Sequence, residues 1–141
     1  MNINKFSIIW LLFVAGFIFT TGCKKDNDAE EETKTIATTQ QKILGRWNLI
    51  KFIEETQEGN KPPEVIENDP ENIYFEFFTN GIVKTNAEGE DEYPYSIKTI
   101  DSFTLDGFPQ KITKLTDSEL VFGNSATEGN SSYKQTYILT R

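Results

Sequence analysis

Hydrophobic and polar positions along the chain fall into three regimes. Phe6 to Phe19 is a continuous apolar run behind the single charged residue Lys5. Lys24 to Gln41 is charged and then Thr-rich, with no periodic apolar face, and predicts a disordered tether. From Ile43 onward apolar residues recur with a period of about two, the spacing of β-strands whose successive side chains point to opposite faces.

Within the third regime the strands can be placed one by one. Ile43 to Glu54 predicts the first strand. Trp47 and Leu49 share one face while Ile50 and Phe52 share the other, so the strand either bends there or is covered on both sides. Gln57 to Pro70 holds Pro62, Pro63 and Pro70 among acidic residues. Because proline removes a backbone donor and fixes φ, the segment is expected to be a long connection without a ladder strand, either a lid over a cavity or a plain surface loop.

Ile73 to Ala87 predicts a hairpin around Asn80-Gly81. A loop with Gly81 in the left-handed region sets Phe77 opposite Val83 and Glu76 opposite Lys84. It also places Ile73, Phe75, Phe77 and Val83 on one buried face and makes a favourable cross-strand charge pair. Tyr93, Tyr95 and Ile97 then alternate with polar positions. Ser102 to Leu105 is a short strand before the turn Asp106-Gly107-Phe108-Pro109. Lys111 to Leu115 and Glu119 to Gly123 flank a turn at 116–118, Asn124 to Ser132 reads as a polar hairpin tip, and Tyr133 to Arg141 closes the chain. About eight strands at short intervals, with no helical pattern, predict an all-β fold closed as a small antiparallel up-and-down barrel. A barrel of that size is filled by side chains or holds one small ligand. Bulky Phe and Tyr in roughly 100 residues favour a mostly filled interior with a shallow mouth.

Composition narrows the chemistry. The chain has 141 residues, eleven Phe, one Cys and no His, with a net charge of −8; loss of residues 1–22 would remove only Lys5 and leave −9. An acidic chain is a poor partner for nucleic-acid phosphates. Without His, the Ser/His/Asp and Cys/His arrangements and His metal sites are excluded. Glu54-Glu55 are carboxylates on opposite faces of a strand, and Glu88 to Glu92 is an acidic loop whose spacing matches no calcium loop. Neither builds an acid/base pair. The expectation is a protein that is not an enzyme and takes no cofactor or metal.

Two stretches carry a resemblance to known families. Lys5, the fourteen-residue apolar run and Thr20-Thr21-Gly22-Cys23 resemble a bacterial lipoprotein signal, in which small residues precede a cysteine that is acylated before cleavage on its amino side. Thr20 stands where Leu is usual; the alternative is an ordinary secretory signal with an incidental thiol. The resemblance implies a signal peptide at 1–22, an acyl-lipid anchor on Cys23 with a tether at 23–42, and an envelope location. That location would be the outer membrane, on either face, with the Lys24-Lys25 and acidic run serving as a surface-export signal or only as a spacer.

Leu44-Gly45-Arg46-Trp47 resembles the Gly-x-Trp first strand of lipocalin-type barrels, and the Phe77-to-Gly81 hairpin is similar to one common in lipocalin-like domains of bacterial lipoproteins. This resemblance covers residues 43–141. It implies structural roles for Gly45, Trp47 and Gly81, and a stack of the closing Arg141 on Trp47. The expected function is a membrane-anchored binding module for a small apolar or amphipathic ligand held near Tyr93, Tyr95, Pro62 and Pro63. The alternative is an envelope scaffold with a filled barrel that binds a protein or glycan partner through its loops.

Overall fold

The computed structural model describes residues 26–141. The signal segment 1–22, Cys23, Lys24 and Lys25 lie outside the described residues. Helix α1 (Asp26–Ile43) is followed by β1 (Gly45–Gln57), β2 (Glu64–Asn68), β3 (Tyr74–Phe77), β4 (Ile82–Thr85), β5 (Asp91–Thr99), β6 (Ser102–Leu105), β7 (Phe108–Leu115), β8 (Glu119–Glu128) and β9 (Ser131–Thr140). Residues from Glu32 onward form one compact unit, and residues up to Glu31 belong to a separate one.

Strands β3 to β9 pair in sequence, and β1 closes the circle by pairing with β3 on one edge and β9 on the other. The result is a closed eight-strand antiparallel barrel, the small lipocalin-like all-β architecture expected. The ninth strand, β2, is a correction. It pairs with β1 from Phe52↔Asn68 to Thr56↔Glu64, where a connection without a ladder strand was expected. Pro62, Pro63 and Pro70 flank β2 rather than interrupt it, and a strand at a sheet edge is where flanking prolines are tolerated.

The register conflict in the first strand is resolved by a β-bulge. Between Leu49 and Lys51 the pairing with β9 shifts by one residue, so Trp47 and Leu49 face inward before it and Phe52 faces inward after it. Ile50 is the extra residue and is half exposed. The β3–β4 hairpin has the expected register, Phe77↔Val83 and Glu76↔Lys84, with Gly81 at φ +79°. The ion pair, however, forms one strand further on: Lys84 Nζ lies 2.7 Å from Glu92 on β5, and not on Glu76.

Further along, Asp106 and Gly107 both take positive φ and make a two-residue turn, so Phe108 and Pro109 belong to β7 and not to the turn. The expected hairpin tip at 124–132 is instead a long β8–β9 ribbon paired from Glu119↔Thr140 out to Glu128↔Ser131. Polar composition misled there, because a ribbon exposed on both faces needs no apolar alternation.

Part of the expected tether is also ordered. Helix α1 is rich in Glu, Ala, Gln and Lys, carries acidic residues in its first half and has Lys42 in its last turn, all favourable to a helix and its dipole. Thr39 and Ile43 are buried, and the Thr39 hydroxyl donates to the Ile100 carbonyl at 3.1 Å. A threonine that packs its methyl and bonds through its oxygen leaves no apolar periodicity to read.

The barrel interior is occupied by rings. Tyr95 meets Phe77 edge-on at 5.0 Å between centroids, Phe77 meets Phe103 at 6.0 Å, and Phe103 meets Phe122 at 5.2 Å. Phe122 stacks on Tyr137 at 4.9 Å, and Tyr137 lies 4.8 Å from Phe52. Most of these pairs are tilted or T-shaped, the arrangement the ring quadrupole favours.

Candidate functional site: a filled barrel with a mouth recess

The closed end is sealed by the residues around the Gly-x-Trp motif. Gly45 adopts φ +98°, and a side chain there would approach the Arg141 Nη1 nitrogen. Trp47 is fully buried, and its indole N–H donates to the Ile43 carbonyl at 2.8 Å, satisfying a carbonyl at the end of α1. The Arg141 guanidinium lies over the Trp47 ring at 4.0 Å, the stack expected of these two residues. It also donates to the carbonyls of Leu44 (2.7 Å), Lys42 (3.3 Å) and Asp117 (2.7 Å). One cation therefore ties the end of α1, the start of β1 and the β7–β8 turn together.

At the opposite end a recess of about 370 Å³ opens above the aromatic column. Leu49, Phe52, Ile73 and Tyr137 form its apolar floor, while Glu54, Glu88 and Gln135 contribute polar groups and Asn68 and Pro70 close one side. The bulge at Ile50 makes this arrangement possible, since without it Phe52 and Glu54 would face outward. Burial, with the carboxylates of Glu54 and Glu88 adding to it, pushes the Tyr137 phenol above its ordinary value, so Tyr137 is neutral and able to donate near physiological pH. Glu54 accepts from the Tyr133 hydroxyl at 2.6 Å, and this hydrogen bond, with burial second, pushes Tyr133 up to about 12.

The residues expected to line a ligand site are not brought together. Tyr95 is a core residue, 7% exposed, whose hydroxyl donates to the Phe78 carbonyl at 2.8 Å. Its alternation with polar neighbours showed that it faces inward, but not that it lies deep against Phe77. Tyr93 is partly buried beside the core, with its hydroxyl 3.4 Å from Asp91. Pro62 and Pro63 are exposed in the β1–β2 connection. None of the four lines the mouth recess. Of the proline-rich segment only Asn68 and Pro70 reach it, so the segment flanks the mouth instead of covering it. The mouth residues Phe52 and Glu54 were missed because the inward face of β1 could not be assigned without locating the bulge.

Glu55 faces away from Glu54 and pairs with Lys134. Among the described residues no group of three or more His, Cys, Asp or Glu is placed to hold a metal ion. Compared with known protein families, curated proteins and solved structures, the chain has no significant match.

Proposed function

We propose that this protein is a lipid-anchored, non-enzymatic binding module of the bacterial envelope, and that its mouth recess takes the apolar part of a small amphipathic molecule. The observation that carries the reading is the recess itself, an apolar floor of Leu49, Phe52, Ile73 and Tyr137 beneath a polar rim. Its volume lies at the low end of the range of about 300–1,000 Å³ usual for small-ligand sites. Two carboxylates, a neutral phenol and an amide around the rim suit a neutral or cationic head that donates hydrogen bonds. They disfavour a fatty acid, whose carboxylate would meet Glu54 and Glu88. The anchoring part of the proposal rests on the signal segment and Cys23.

Native mass spectrometry of the protein extracted from its own membrane tests the binding reading. A bound mass that is lost in Phe52→Asp supports it. A bare chain that also fails to bind long-chain alkylamines and fatty alcohols sinks it. That failure would favour the scaffold alternative, which draws support from the aromatic filling below the recess and from the exposed Val65 and Ile66 on β2, at the sheet's outer edge. The anchor is tested separately: Cys23→Ser is expected to leave the barrel folded and move the protein out of the membrane fraction. A variant that still sediments with membranes refutes lipidation.

A further inference from the structure

Past its bulge, β1 carries a four-stranded extension of the sheet in the order β2, β1, β9, β8, and both outer edges of this extension lack a neighbouring strand. On one side the pairing of β7 with β8 ends at Lys111↔Gly123, which leaves an opening in the barrel wall where residues 124–128 of β8 pair only with β9. On the other side β2 pairs only with β1. The two edges differ in chemistry. Residues 124–128 are Asn, Ser, Ala, Thr and Glu, whereas β2 presents Val65 on one face and Ile66 on the other, each about half exposed.

An unpaired strand edge offers a row of N–H and C=O groups to any extended segment, and proteins that keep such edges closed place lysine, proline or a bulge on them. β2 has none of the three. Its register with β1 runs without a shift from Phe52↔Asn68 to Thr56↔Glu64, its sequence Glu-Val-Ile-Glu-Asn holds no Lys or Pro, and Pro63 and Pro70 stand outside it. All five residues therefore keep an N–H. What β2 does carry is negative charge. From Glu58 to Glu71 there are five acidic side chains and one basic one, Lys61. Lys61 pairs with Glu58, and Lys51 on β1 pairs with Glu67 at 2.8 Å and Asp69 at 3.7 Å, which leaves Glu64 and Glu71 without an ion pair among the described residues. A second copy of the chain would bring the same acidic edge against this one and is repelled, whereas a basic segment is attracted.

We propose that the outer edge of β2 docks an extended basic segment of a partner protein, which joins the sheet as a further strand. Backbone hydrogen bonds hold such a strand, and its side chains select it. Each incoming side chain lies beside the β2 residue it opposes. Glu64 and Glu67 call for Lys or Arg, and Val65 and Ile66 between them call for β-branched apolar residues. The recognised pattern is therefore two basic residues separated by two apolar ones. Docking of this kind stands on β2 alone and does not depend on a ligand in the mouth.

Titration of the purified protein with the capped peptides Thr-Lys-Val-Val-Lys-Thr and Thr-Glu-Val-Val-Glu-Thr, followed by NMR and amide hydrogen exchange, tests this. The lysine peptide is expected to bind with a dissociation constant of about 1 mM or lower, at least about tenfold more tightly than the glutamate peptide, and to slow exchange in Glu64–Asn68. Glu64→Lys is expected to weaken the lysine peptide at least about tenfold, while Glu128→Lys, the same charge change on the β8 edge, leaves it within about twofold. Both variants replace exposed side chains, so their melting temperatures are expected to stay unchanged. Equal weakening by the two variants would mean general charge attraction, and binding without protection of β2 would mean attachment without a strand. Failure of the lysine peptide to bind would mean an unused edge. Each of these overturns the proposal, as does a chain that dimerises through β2 in sedimentation with no peptide present.

Discussion

At the closed end of the barrel Ile43, Trp47 and Leu139 are fully buried, and Arg141 reaches three backbone carbonyls from its place on the indole. At the other end all five residues of β2 are exposed, and the β8–β9 ribbon runs past the barrel with polar side chains on both faces. One strand, β1, serves both ends, and the bulge at Ile50 divides them. Before it, β1 is a barrel stave whose inward residues specify packing. After it, β1 is the centre of a twisted ribbon whose inward residues, Phe52 and Glu54, face a recess. The division of labour follows from area: a side chain at the closed end loses nearly all its contact with water, and one on the ribbon loses little. Stability is therefore concentrated at one end and available surface at the other.

The largest test of that contrast is a pair of truncations. Phe122 is 1% exposed and contacts three other rings, so Phe122→Ala is expected to cost about 3–5 kcal/mol in urea unfolding. Ile66 on β2 is 48% exposed, and Ile66→Ala is expected to change stability by no more than about 0.5 kcal/mol. Comparable losses in the two variants would mean that the ribbon is as much a part of the core as the barrel, and the contrast would fail.

Arg141 gives a finer test because one side chain covers the indole face and also bonds the backbone carbonyls of the closed end. Arg141→Ala removes the cation from the face of Trp47 and three hydrogen bonds to carbonyls, an expected loss of about 1–2 kcal/mol. Trp47 fluorescence should shift as water reaches the ring. Arg141→Lys should recover little, since an ammonium cannot serve three diverging carbonyls and a ring face at once. An unchanged melting temperature in Arg141→Ala would remove the charged clamp from the account of the closed end.

These two ends were not equally legible in the sequence. The closed end declared itself through residues whose types are restrictive: Gly45 needs a positive φ, Trp47 needs a cavity and a hydrogen-bond acceptor, and Gly81 needs a left-handed turn. The eight-strand barrel and the β3–β4 register followed from alternation alone, because Phe75, Phe77 and Val83 must share a buried face. The open end was misread for physical reasons. A strand exposed on both faces, such as β2, has no alternation. A bulge moves every later inward residue by one position, so Phe52 and Glu54 could not be assigned to the mouth. The wall opening at Lys111↔Gly123 depends on where two strands stop pairing, which no local pattern encodes. Tyr95 shows the converse: its inward face was legible, but its depth was set by Phe77 and the Phe78 carbonyl, contacts between strands.

The smallest effect expected lies in two tyrosines, one from each end. Tyr95 is raised by burial against Phe77, whereas Tyr133 on the ribbon is raised from its usual value near 10 to about 12, chiefly because its hydroxyl donates to Glu54. A phenol that holds its proton more tightly in the folded state contributes stability that is fully present below pH 10. That contribution is lost as pH rises from 10 through 12, because the folded state then binds more protons than the unfolded one. Removing the carboxylate charge in Glu54→Gln should bring the Tyr133 titration back toward 10 and leave the buried Tyr95 where it was. Stability at neutral pH should hardly move, since Tyr133 is exposed and its bond to Glu54 is shared with water. Tyrosinate absorbance followed on Glu54→Gln and on a Tyr133→Phe control separates the two phenols. If the titration that disappears in Tyr133→Phe is the same before and after Glu54→Gln, then Glu54 does not hold the Tyr133 hydroxyl, and the polar rim next to the recess is ordered by some other contact.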